Sequence, residues 1–120
     1  MLAPKHSGVI AMLLLSAAHS GFAADLFRRL TASEVHARVV GNTVTDESHW
    51  SDRFDASGVL DAMELGQHKA GQWKLKGGEI CVMRKAQKQV EECFEIWQSG
   101  DRIEYRSNGV VLTSGVLRRE

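Results

Sequence analysis

The chain has 120 residues, with 15 Lys+Arg against 15 Asp+Glu, 43% hydrophobic and 25% charged residues, one proline and two cysteines. That length holds a single domain, which excludes a large multidomain enzyme and a bundle of membrane helices. The balanced charge speaks against a nucleic-acid partner, and the apolar share is too high for a disordered chain.

Residues 1–23 read as a secretory signal peptide. Lys5 gives the positive start, 9–15 the apolar centre, and Gly21-Phe22-Ala23 a small-x-small cleavage sequence. The apolar run is far shorter than the ~20 residues that cross a bilayer, so no membrane span is expected. Cleavage after Ala23 removes Lys5 and leaves one β-rich domain over 24–120 with a net charge one unit negative. The expected location is periplasmic or secreted.

Thr31-Ala32-Ser33-Glu34 has the form of a capping box, in which the threonine hydroxyl and the glutamate carboxylate each satisfy the other's backbone N–H. Leu30 and Val35 fall at the staple positions and Gly41 at the stop, which predicts a short helix over 32–40. Alternating apolar segments follow over 50–54, 59–65, 72–75, 80–83, 93–97, 103–105 and 110–117. Between several of them stand the turn sequences Asp55-Ala56-Ser57-Gly58, Lys76-Gly77-Gly78, Ser99-Gly100-Asp101 and Ser107-Asn108-Gly109. The expected architecture is mainly β, a curved antiparallel sheet or small barrel of six to eight strands with one short N-terminal helix.

If 79–84 and 90–97 pair as a hairpin centred on Gln87, Cys81 and Cys93 face each other, and an oxidising compartment would join them as a disulfide. Strand phase puts Trp73/Leu75, Ile80/Val82, Phe94/Ile96 and Ile103/Tyr105 on one face, the expected core. The cysteines, Met83 and Trp97 then lie on the other face, with the helix as their expected cover. Periodicity alone also admits the reverse assignment, with the disulfide inside.

The chain shows little sign of catalytic chemistry. His36, His49 and His68 have no metal-ligand spacing, and a site built from His49, His68 and Asp52 would have to be assembled by the fold, so no metal is expected. Asp46, Glu47, Asp52 and Asp55 around Arg53 lack the spacing of a catalytic carboxylate pair and read as loop and turn residues. No nucleophile elbow and no phosphate loop is present, so no catalytic residue and no cofactor is expected, and an enzyme is disfavoured. Arg84, Lys85 and Lys88 would form a basic hairpin tip. With Trp50, Trp73 and Trp97 they are the candidate binding residues.

Leu30-Thr-Ala-Ser-Glu34, Gly41-Asn42-Thr43, Phe54 to Gly58, Gly71-Gln72-Trp73, Ile80-Cys81 and Glu92-Cys93-Phe94 together resemble a group of small exported bacterial proteins of unknown function. Members of that group sometimes carry a dihydrodipicolinate reductase label. This chain lacks the strand, glycine loop and helix of a dinucleotide-binding enzyme, so the resemblance implies architecture and export rather than that activity. The expected function is an exported monomeric binding module for a small molecule, an envelope component or a protein partner. The alternatives are an inhibitor of an exported hydrolase such as a lysozyme and, behind it, a metal-dependent enzyme.

Overall fold

A computed structural model of the protein describes residues 26–85 and 90–120. The expected signal peptide and Lys88 lie outside the described residues. The elements run β1 (Arg28–Arg29), α1 (Ala32–Arg38), β2 (Thr43–Thr45), β3 (Trp50–Phe54), β4 (Val59–Glu64), β5 (Gln67–Lys76), β6 (Glu79–Arg84), β7 (Glu92–Ser99), β8 (Arg102–Ser107) and β9 (Val110–Arg118).

Every strand pairing is antiparallel, and neighbours follow the order β7-β6-β5-β4-β3-β2-β9-β8, with β8 returning to β7. Eight strands therefore close a barrel, which removes the free edges that an open sheet would expose. The two residues of β1 add to β7 opposite Trp97 and Gln98, beyond the point where β6 stops pairing with it.

The helix starts where the capping box requires: Thr31 Oγ1 accepts from the Glu34 N–H, and the Glu34 carboxylate accepts from the Thr31 N–H, each at 3.2 Å. It ends at Arg38, two residues before the expected boundary, because the Asn42 side chain takes the Arg38 carbonyl and the chain turns out through Gly41. Its position differs from expectation. Instead of covering the disulfide face, α1 and its C-cap send Val35 and Val39, both fully buried, into the same core cluster as Phe54, Leu60, Ile80 and Ile96. A seven-residue helix has one apolar stripe, and the open end of a barrel offers it more apolar contact than an outer sheet face. The helix thus plugs one end of the barrel.

The outer face finds other cover. Cys81 and Cys93 are opposite each other in β6 and β7 and form the disulfide. Cys81 is buried, and the Glu91 carboxylate lies 3.6 Å from the Cys93 sulfur, held there by Lys74 and Lys76 of β5. Such a bond persists in an oxidising compartment. Trp97 lies under the Arg106 guanidinium, 4.2 Å from ring centre to Cζ, and the Phe27 ring is 5.5 Å from that same Cζ. Among the described residues no helix is long and apolar enough to cross a membrane.

Candidate functional site

Strand alternation aims every second side chain into the barrel, and the inward rows share a gradient. From the plugged end outwards they read Phe54, Asp52, Trp50 on β3; Leu60, Ala62, Glu64 on β4; Ile80, Val82, Arg84 on β6; and Ile103, Tyr105 on β8. On each of these strands aliphatic or aromatic residues sit deep, and polar or amphipathic ones gather at the mouth opposite α1.

There the Arg84 guanidinium reaches Asp52 twice, Nη1 to Oδ1 at 3.2 Å and Nη2 to Oδ2 at 3.4 Å, with Glu64 3.7 Å from Nη1. The Tyr105 hydroxyl donates to Asp52 Oδ2 at 3.1 Å. Tyr105 stacks on Phe94 at 4.2 Å between ring centres and meets Trp50 at 5.5 Å, so its ring is fixed from two sides. Asp52 is only 2% exposed. A carboxylate at that depth needs a cation and hydrogen-bond donors, and Arg84 and Tyr105 provide them.

The electrostatics follow from this packing. Burial, reinforced by the adjacent Asp52 charge, drives the Tyr105 phenol well above its ordinary pKa and keeps it a neutral donor. Burial works against the Arg84 charge, but Asp52 and then Glu64 outweigh it and hold the guanidinium above its ordinary value. The result is an oriented Asp52–Arg84 ion pair inside the mouth, with Glu64 and the Tyr105 hydroxyl beside it.

A cavity of about 410 Å³ lies on the outer face of β5 and the end of β6, lined by Ala70, Gly71, Gln72, Met83, Arg84 and Lys85, with the outward-phase Ala70, Gln72 and Met83 supplying its side chains. Pairing of β5 with β6 ends at Gly71 opposite Arg84, and pairing of β6 with β7 ends at Val82 opposite Glu92. Gly71 is required by close approach, since a Cβ there would lie 2.4 Å from the Met83 carbonyl oxygen. A second, more polar cleft of about 700 Å³ lies beside α1, lined in part by Arg28, Arg38 and Arg119. Arg28 and Arg38 are tied there to Glu34, at 2.7 and 3.3 Å.

The fold brings only some of the sequence candidates together. Trp50 and Arg84 meet in the mouth through Tyr105 and Asp52, and Lys85 stands at the rim of the cavity. Arg84 therefore points inward rather than joining an exposed basic tip. Trp73 is deeper, edge-on to Phe54, with its indole N–H donating to the Asp55 carbonyl at 2.7 Å. Trp97 belongs to the outer face and donates to Glu95 at 2.9 Å.

The acidic segment divides as well. Asp46 accepts from the N–H groups of Ser48, His49 and Trp50, which hold its carboxyl well below the usual range, and Asp55 caps the turn at Ser57. Only Asp52 turns inward, so His49, His68 and Asp52 do not assemble. His49 pairs with Asp46 at 2.9 Å and His68 with Asp61 at 3.5 Å. Among the described residues one trio of His, Cys, Asp or Glu ligand atoms lies within 4.8 Å of one another: Cys81, Glu91 and Cys93. The disulfide already engages both sulfurs.

Sequence reasoning passed over Glu64, Gly71 and Tyr105 as site residues and read Asp52 only as a loop acid or a metal candidate. The available signal was phase. Asp52 sits between Trp50 and Phe54 on the inward face, and Arg84 follows Ile80 and Val82 on theirs, so each is a charge at a core position. Together the fold and the mouth define a small disulfide-stapled β-barrel with one plugged end and one polar end. No protein-family model matches the chain, and neither a curated protein nor a solved structure is significantly similar to it.

Proposed function

We propose that the protein is an exported small-molecule binding module of the periplasm or the extracellular space that receives its ligand at the barrel mouth opposite α1. The observation that carries this reading is the buried Asp52–Arg84 pair with its Tyr105 hydrogen bond, at the end the helix leaves open. A closed barrel of this size gains little stability from an interior ion pair. Replacing such a pair by apolar side chains is often neutral or favourable, whereas fixing a cation in place serves recognition.

The signal-like sequence of residues 1–23, the disulfide and the resemblance to small exported bacterial proteins support the location. The turning of Arg84 into the barrel favours a mouth ligand over an inhibitory basic tip, since it withdraws one of the tip's three cations.

Native mass spectrometry on protein gently extracted from the envelope fraction tests the reading. A bound small mass is expected, and Arg84→Gln should lose it while keeping the oxidised mass of the free chain. A bare wild-type chain, or a complex with a larger protein in place of a small mass, would overturn it.

A further inference from the structure

Apart from its mouth, the barrel has one strand left open along its side. We propose that residues 110–114, at the start of β9, form an interface with a second copy of this chain, the two β9 edges pairing antiparallel across a two-fold axis.

The opening follows from the register. β8 pairs along one side of β9 from Val110 to Val116, but β2, on the other side, pairs only with Val116, Leu117 and Arg118. The turn between β2 and β3 does not fill the gap. The Asp46 N–H donates back to the Trp50 carbonyl at 3.3 Å, and Glu47 pairs with Arg118 at 2.9 Å, so the turn folds toward the C-terminal end of β9. Among the described residues no strand lies against that side of 110–114, a stretch of about 17 Å at ~3.4 Å per residue. The main-chain N–H and carbonyl groups of such an edge are a template for another strand.

The side chains on this stretch are apolar and uncharged. Val110 is 66% exposed, Val111 46% and Leu112 51%, three in succession. In a regular barrel strand alternate side chains turn inward; a register shift at Tyr105 and Arg106, which leaves Leu112 without a partner in β8, breaks that alternation. From Ser107 to Leu117 the chain carries no charge, although 25% of all its residues are charged. A second stretch paired on one side only, Gln67 to Ala70 of β5, is guarded differently. It carries the basic residues His68 and Lys69, of the kind that keep strand edges apart.

Neutrality also selects the partner. A strand that recognises its target by charge finds nothing to read here, whereas a second copy brings the same uncharged edge, with no like charges opposed. Two-fold pairing is self-complementary, and it sets the exposed apolar residues of both chains against one another. An interface of one short strand from each chain is small, so a reversible dimer of roughly micromolar affinity is expected rather than a permanent one.

Sedimentation equilibrium on the full oxidised chain, from about 1 µM to about 1 mM, tests the proposal. The mass should rise from one chain to two, and the amides of 110–114 should exchange more slowly at the concentrated end. Leu112→Lys and Val111→Lys, both at exposed positions, should each weaken the dimer at least about tenfold while keeping the circular dichroism of the parent. His68→Lys, on the β5 edge, should leave the dimer unchanged. A monomer throughout would overturn the proposal, and slow exchange at 110–114 in that monomer would assign the edge to a segment of the same chain. A dimer that neither Leu112→Lys nor Val111→Lys weakened would overturn it too, by placing the contact elsewhere. None of these outcomes bears on ligand binding at the mouth.

Discussion

Tyr105 is the chain's one tyrosine, so its ionisation can be followed by phenolate absorbance without a second phenol in the signal. Burial and Asp52 raise its pKa in the folded protein, whereas the unfolded chain releases the proton near pH ~10. A group raised on folding contributes stability that is complete below the unfolded pKa and is lost as pH climbs towards the folded value. Phenolate should therefore appear only together with loss of the fold, as one cooperative step above pH ~10. A smooth titration near pH ~10 with an unchanged circular dichroism spectrum would contradict that. At neutral pH, Tyr105→Phe should cost about 1 kcal/mol, since it removes one hydrogen bond and leaves Arg84 on Asp52. The residue scale is also where the sequence was least readable. A charged side chain on a strand reads as solvent-facing, and only its shared phase with Phe54 or Val82 says that Asp52 and Arg84 face inward.

Among the elements, β5 was half legible. Its second part, with Trp73 and Leu75 alternating, was expected; its first part, Gln67 to Gly71, has no apolar alternation, because its inward positions hold Lys69 and Gly71. The β4–β5 turn was equally hidden. Leu65 takes φ 49° and Gly66 φ 78°, the left-handed pair a tight hairpin needs, but a leucine does not announce such a turn. Asn108-Gly109, with the same geometry and ordinary turn residues, was read at once. The three residues of β2 were missed because so short a strand has no period of its own and exists through pairing with β3 and β9. The β5–β6 crossing makes a sharp prediction. Gly71→Ala places a methyl 2.4 Å from a main-chain oxygen that cannot rotate away, so it should destabilise by about 1–3 kcal/mol in denaturant and loosen the pairing opposite Arg84. Unchanged stability would show that the two strands part without loss.

For the molecule as a whole the disulfide matters most, because a domain this small has a marginal core. It closes a loop of sequence separation 12, and Cys81→Ser should lower stability by about 2–4 kcal/mol against the oxidised parent, with little difference once the parent is reduced. An equal penalty in both conditions would assign the effect to packing of the buried Cys81 rather than to the bond. The helix plug belongs to the same scale. Capping box, staple and stop were all readable from 30–41, since they depend on neighbours within one turn. The end of the barrel that α1 would seal was not, because the pairing that closes the barrel, β2 with β9 from the far end of the chain, is known only after the sheet curls.

The sequence by itself determined the elements whose signals are local: the capped helix, the alternating strands from β3 to β9, the turn residues, the core face, and the cysteine register about Gln87. Local sterics and a period of two are enough to specify these. Tertiary structure alone decided what depends on closure. It placed α1 in the barrel end instead of over the disulfide, covered the outward Trp97 with Arg106, and drew Asp52, Glu64, Arg84 and Tyr105 from four strands into one mouth. Those four lie far apart along the chain and meet because a twisted antiparallel sheet, once closed, turns matching ends of separate strands toward one axis.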